Sequence, residues 1–204
     1  MKLYFGPGSC ALASHIVLEE IGKPFEAVKL DLAAGEQRKP DYLAINPKGR
    51  VPALITAAGV LTETPAILVY LAQTSPEAGL APTDPWALAK VQEFTSYLAS
   101  TVHVAHAHKQ RGSRWSDDPA SWEAMKAKVP ESMLAVFQPI EAALTGDWVF
   151  GTYGIADAYL FTIARWLEGD GVDLAKLPRV AAHMARMRAR PAVQRALAAQ
   201  GLAA

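Results

Sequence analysis

The sequence predicts a two-part chain: a small mixed α/β unit followed by an all-helical unit. Three observations carry this. Over residues 1–73, short strand-like runs alternate with helical stretches and include one hairpin. Residues 74–85 then hold three prolines and a glycine, the composition of a linker. Beyond Trp86 the chain is rich in Ala, Leu and Met at helical spacing, with no convincing strand. The expected division is an α/β unit over 1–76, a linker over 77–85 and a helical unit over 86–204.

Residues 2–5 read as a strand and Pro7-Gly8 as a turn. From Cys10 onward, Leu12, Ile16, Val17 and Ile21 recur at helical spacing, and Gly22-Lys23-Pro24 stops that helix. Residues 25–30 alternate like a second strand. A polar segment follows, then a short helical piece at Tyr42-Leu43-Ala44. Residues 51–56 and 60–62 form two strands joined at Ala58-Gly59, and 65–73 read as a helix. A helix crossing between parallel strands, followed by a hairpin, gives a small mixed sheet. In the second unit, helices are expected at 85–108, 119–145, 155–168, 178–189 and 192–199. Pro130 and Pro139 are expected to kink or divide the second of these, because each removes a backbone donor.

Composition narrows the function classes. With 20 basic and 20 acidic residues the formal net charge is zero, so nothing favours nucleic acid or an anionic membrane surface. No apolar run is long enough to span a bilayer. The run Lys2-Leu3-Tyr4-Phe5 lacks a signal-peptide layout, and a single cysteine excludes a disulfide framework. A reducing cytoplasm is the expected setting.

The densest information lies at Val51-Pro52 and Glu63-Thr64. Val51-Pro52 sits where a loop enters a sheet, a position suited to a cis bond. Thr64 is expected as N-cap with Pro65 at the first helical position, and the helix end can hold a carboxylate. Glu63 can accept from an ammonium group on the same ligand. Spacing alone favours simple capping for both. Together they suggest a small acidic peptide.

Cys10 falls at a strand-to-helix turn, where a helix N-terminus lowers thiol pKa. A buried structural cysteine is the alternative. The turn and the Val-Pro loop downstream favour the chemical reading. Ser9 and Tyr4 are rival hydroxyls for a bound sulfur. His103 and His106 share a helix face three residues apart, with His108 nearby. No carboxylate or thiol follows at ligand spacing, so a metal is not expected. A neutral imidazole donating to a thiolate, or exposed polar residues at a helix end, are the other readings. Asp157 reads as a capping acid bonded back to Gly154. Tyr159 and Phe161 read as core, and Trp166 can reach a cleft.

Met1-Lys2-Leu3-Tyr4, Pro7-Gly8-Ser9-Cys10 and Ala13-Ser14-His15 carry a family resemblance, as does the run from Asp41 to Leu54. So do Leu61-Thr62-Glu63, Ile155-Ala156-Asp157-Ala158-Tyr159-Leu160-Phe161 and Arg165-Trp166. Through these the chain resembles the bacterial beta-class glutathione transferases along essentially its whole length. The resemblance implies a thioredoxin-like domain, ordered βαβαββα, that holds glutathione, and a helical domain supplying much of the pocket for a hydrophobic electrophile. It also implies a homodimer, with glutathione as co-substrate and no cofactor. It assigns Cys10 to the glutathione sulfur, Val51 and Pro52 to the cysteinyl part, Glu63 and Thr64 to the γ-glutamyl end, and His103 to the site histidine. Ser9 joins the glutathione contacts. Tyr4, His106, Trp115 and Trp166 are candidates for the electrophile pocket.

Three departures stand out. Ala11 replaces a frequent serine, and Gly154 replaces a capping Ser or Thr. Gly35 stands about where the family has a lysine for the glycine carboxylate, leaving Arg38 or Lys39 for that role. Three functions follow: conjugation of glutathione to an electrophile, glutaredoxin-like exchange through Cys10, or a non-catalytic binding module. Loss of activity in Cys10→Ala marks the second, and failure to bind glutathione marks the third.

Overall fold

The computed structural model describes residues 1–203. Strands β1 (Lys2–Phe5), β2 (Glu26–Lys29), β3 (Ala53–Thr56) and β4 (Gly59–Thr62) form one sheet in the order β2-β1-β3-β4. β1 runs parallel to β2, and the β1–β3 and β3–β4 pairs are antiparallel. Leu3 pairs with Leu54, which in turn pairs with Leu61. Alternation splits β1 between two faces: Leu3 joins the main core, whereas Tyr4 joins a smaller cluster with Leu30, Tyr42 and Ala53. Helices α1 (Ala11–Ile21), α2 (Pro40–Leu43) and α3 (Thr64–Gln73) complete the βαβαββα domain.

The second domain holds α4 (Pro85–Tyr97), α5 (His103–Ala107), α6 (Pro119–Ala143), α7 (Ile155–Ala164), α8 (Pro178–Arg188) and α9 (Pro191–Ala199). All ten residues of α7 are buried. A helix apolar on every side belongs at the centre of its domain. α1 packs against α3, α7 and α9. One apolar cluster therefore includes Leu12 and Ile16 of α1, Leu68 of α3, and Tyr159 and Phe161 of α7. Burying each such leucine or isoleucine contributes about 1.5–3 kcal/mol.

Several sequence expectations change. The helix expected over 85–108 is interrupted by a π-type turn, Leu98–Val102, in which Leu98 and Val102 are both fully buried. The helix expected over 119–145 is not divided. Pro130 and Pro139 lie inside the continuous α6, whose buried Val129, Met133, Phe137 and Ile140 keep one face on the core. Tyr97 Oη donates to Val136 O at 2.9 Å, beside the turn that Pro139 loosens. The helix expected over 155–168 ends at Ala164.

Asp157 behaves as the sequence suggests: Oδ2 accepts from Gly154 N and Oδ1 from Val149 N, both at 2.9 Å. His183 Nε2 meets Oδ1 at 2.9 Å. Gly154 also has a steric reason, since a Cβ there would lie 2.6 Å from Leu80 O. The hydrogen bond from Ile155 N to Leu80 O, at 2.9 Å, draws that carbonyl in.

Candidate active site

The site lies where α1, the loop before β3 and the start of α3 meet. Cys10 opens α1, and its Sγ donates to the Val51 carbonyl at 3.4 Å. The Val51–Pro52 peptide is cis. Just ahead of it, Tyr42 Oη and Asn46 Nδ2 both donate to Arg50 O at 2.7 Å, which fixes the loop. Cys10 is buried. Burial pushes its thiol pKa up, and the Thr64 hydroxyl and Arg111 charge only partly offset this. The expected lowering by the helix end is thus corrected: burial is the largest influence on this thiol and it raises the pKa.

The start of α3 also differs from expectation. Glu63, not Thr64, is the N-cap residue, and Pro65 is the second helical residue. Glu63 has φ 71 and ψ 121, the one non-glycine residue with positive φ among those described. Such a conformation costs about 1–3 kcal/mol and gathers at ligand clamps. Its carboxylate is paired with Lys48 Nζ, which also reaches Thr62 Oγ1 at 2.6 Å. Thr64 is buried instead of capping. Its hydroxyl influences both Cys10 and the phenol of Tyr159.

The histidines separate clearly. His103 is held at a pKa of about 4 by burial and by the charges of Arg111, His106, Arg114 and Arg50. It is therefore neutral near pH 7, and no described residue engages its ring nitrogens by hydrogen bond. His106 is committed elsewhere: Nδ1 lies 2.7 Å from Asp170 Oδ2, and its ring stacks on Trp166 at 4.2 Å. The His103 ring lies 5.0 Å from the same indole. Trp166 Nε1 donates to Gly8 O at 3.0 Å, two residues before Cys10. Among the described residues, no group of three or more His, Cys, Asp or Glu side chains gathers to hold a metal ion.

The remaining candidates scatter. Ser9 Oγ donates to Gly6 O at 2.7 Å and accepts from Ala11 N, so it is engaged within its own turn. Tyr4 leans on Tyr42 at 5.6 Å, in the cluster that includes Val51. Trp115 stacks on His108 at 4.2 Å and is 45% exposed. Lys39 pairs with Glu36 at 3.6 Å, whereas Arg38 has no acidic partner among the described residues. Three further residues escaped the sequence reading. Tyr159 is core, yet Cys10, Glu63 and the Thr64 hydroxyl all bear on its phenol, and burial pushes its pKa far up. Gln200 Oε1 accepts from Gly8 N at 3.1 Å, which clamps the turn from the far end of the chain. Arg111 bears on both Cys10 and His103. None of the three lies in a local pattern that announces the contact.

A four-stranded sheet with a cis-Pro loop beside a helix-opening cysteine, backed by a helical domain, defines a thioredoxin-like fold joined to an all-helical partner. The model of the glutathione S-transferase N-terminal domain matches residues 1–73, and that of the C-terminal domain matches 97–191. The chain belongs to the glutathione S-transferase family. It is 41% identical over 207 residues to glutathione S-transferase GstA of Escherichia coli O157:H7, covering 99% of this chain and 100% of that relative. A Sulfitobacter glutathione transferase homologue solved with bound glutathione superposes with a TM-score of 0.94 at 49% identity, covering 99% of this chain and 98% of that one. A bacterial beta-class glutathione S-transferase from Sphingomonas chungbukensis gives 0.87 at 34% identity, with both chains fully covered.

Proposed function

We propose that this protein is a glutathione transferase that joins the glutathione thiolate to a hydrophobic electrophile. The observation that carries the reading is the contact between Cys10 Sγ and Val51 O at 3.4 Å. It joins the thiol to the backbone edge beside the cis-Pro, where an extended peptide can pair. In this reading the cysteinyl part of glutathione lies along Val51-Pro52. The γ-glutamyl end meets Glu63 and Thr64 at the start of α3, and the glycine carboxylate meets Arg38 or Lys39. Residues 1–76 form the glutathione-binding unit, 77–85 the linker and 86–204 the helical unit.

The chemistry follows from the charges. The glutathione S–H loses its proton, the thiolate attacks the electrophilic carbon, and a C–S bond forms as the leaving group departs with its electron pair. An imidazole with a pKa of about 4 is too weak a base to keep that proton near pH 7. The proton passes to solvent, and His103 serves as a neutral donor that stabilises the thiolate. Arg111 adds positive charge nearby. A protonated Cys10 can likewise donate to the thiolate. A pKa raised by burial disfavours Cys10 as the attacking group of a disulfide exchange.

The setting in this reading is the cytoplasm and the role is detoxification. The active form is a homodimer, whose second copy would cover exposed apolar residues such as Val60 and Trp86. The test is retention on a glutathione resin with conjugation of an aryl halide, in wild type and Glu63→Gln. Retention with a KM for glutathione raised about tenfold by Glu63→Gln supports the reading. A protein that neither binds the resin nor conjugates contradicts it.

A further inference from the structure

Asp170 is a buried acid with its side chain only 1% exposed. Two basic groups face it. His106 Nδ1 lies 2.7 Å from Oδ2, and Lys109 Nζ lies 3.3 Å from Oδ1. A carboxylate stripped of water needs such partners, since removing one leaves buried charge uncompensated. The paired carboxylate only accepts hydrogen bonds, so His106 Nδ1 carries a proton. Nε2 is the remaining nitrogen, and no described residue engages it by hydrogen bond.

Packing fixes this imidazole as well. Its ring lies 4.2 Å from the Trp166 indole at an interplanar angle of 22°. Asp170 belongs to the turn that follows α7, and its N–H donates to Trp166 O at 2.8 Å. Acid, imidazole and indole thus form one unit. That unit is anchored to the thiol turn, because Trp166 Nε1 donates to Gly8 O at 3.0 Å, two residues before Cys10. The His103 ring meets the same indole at 5.0 Å and stands 6.4 Å from the His106 ring. His106 keeps 28% of its side chain exposed, so the imidazole is reachable while its acid partner is not.

A histidine held by a buried carboxylate suits proton transfer. The acid fixes which nitrogen is free and balances the imidazolium when both carry protons. A clasp between α5 and the turn after α7 needs no imidazole, since Lys109 already joins them through Gly169 O and Asp170.

We propose that His106 is a catalytic acid, positioned by Asp170, for an electrophile that releases negative charge onto oxygen, such as an aryl epoxide. The thiolate forms a C–S bond at the benzylic carbon as the C–O bond breaks, and the electron pair stays on oxygen. That alkoxide takes the proton from His106 Nε2, which leaves a neutral imidazole whose Nδ1–H still faces Asp170. The proton that glutathione gave to solvent is replaced on Nε2 from solvent, so the cycle balances. The conjugation step rests on the glutathione-transferase reading; the Asp170–His106 pair does not.

Styrene oxide and benzyl chloride test this as a pair. Both offer a benzylic carbon beside a phenyl ring, but chloride departs as a stable anion and only the epoxide leaves an alkoxide to protonate. Wild type is expected to conjugate both, and heavy water should slow kcat more with styrene oxide than with benzyl chloride. In His106→Gln the amide can still donate to Asp170 but transfers no proton; His106→Phe keeps a ring on Trp166. Each is expected to lower kcat for styrene oxide about a hundredfold relative to benzyl chloride. Asp170→Asn should lower that ratio about tenfold with KM little changed, and should erase a downfield Nδ1 proton resonance that wild type shows. Circular dichroism checks that each variant is folded.

Equal heavy-water effects on the two substrates in wild type, or a ratio unchanged in a folded His106 variant, overturn the proposal. Conjugation of benzyl chloride without styrene oxide also overturns it and leaves the transferase reading standing. A wild type that conjugates neither compound, nor an aryl halide, overturns both.

Discussion

The indole Nε1 of Trp166 donates to the carbonyl of Gly8 at 3.0 Å, joining residues 158 apart in sequence. The same Gly8 gives its N–H to Gln200 at 3.1 Å and adopts φ 70, a conformation that favours glycine. Both polar groups of this turn residue are thus held by the helical domain. The turn sets where α1 begins, and so where Cys10 stands.

Trp166→Phe keeps a ring between His103 and His106 but removes the donor. It is expected to cost about 1 kcal/mol of stability and to lower kcat/KM about tenfold by loosening the Cys10 turn. Urea unfolding and steady-state kinetics check this. A variant with unchanged kinetics would show that the clamp serves folding alone.

His103 ties stability to pH. Its folded pKa is about 4 against an ordinary 6.5, and His15 is lowered too. Between pH 6.5 and 4 the unfolded chain binds more protons than the folded one. The stabilising contribution is therefore complete above 6.5 and is lost as pH falls through about 4. His103→Gln removes its share. The urea midpoint of the variant should fall less than that of wild type between pH 7 and 4.5. Equal falls would mean that His103 is not held neutral by its surroundings.

Gly154 precedes α7, where a serine would ordinarily cap at least as well. Here the Leu80 carbonyl occupies the space a Cβ needs. Gly154→Ser should destabilise by about 1–3 kcal/mol, seen as a lower melting temperature. A raised melting temperature would show that Leu80 yields readily.

Cys10 should resist alkylation at neutral pH. Its thiol lies above an ordinary value of 9.0 because it is buried. Iodoacetamide labelling followed by mass spectrometry should be slow at pH 7 and accelerate only beyond pH 9. Fast labelling at pH 7 would restore the thiolate expected from the helix end.

The parts of this molecule visible in sequence are those encoded locally. The strand-helix-strand order, the Val51-Pro52 loop and the Asp157 cap each sit within a few residues of their own signals. The errors share a cause. Thr64 has the composition of a cap, but the backbone turns at Glu63, and Thr64 is drawn inward toward Cys10 and Tyr159. Cys10 has the position of a low-pKa thiol, but burial by packed helices reverses the shift. Arg111 lies about a hundred residues from Cys10 and no spacing rule joins them, yet its charge bears on both Cys10 and His103.

The central claim is that glutathione, not Cys10, supplies the attacking sulfur. It is tested most directly by assaying wild type and Cys10→Ala with glutathione, once with an aryl halide and once with a glutathione mixed disulfide. Conjugation that survives the substitution largely intact is the predicted result. Negligible conjugation by wild type, with a disulfide exchange that vanishes in Cys10→Ala, would contradict the account and make this a thiol–disulfide exchanger on the same fold.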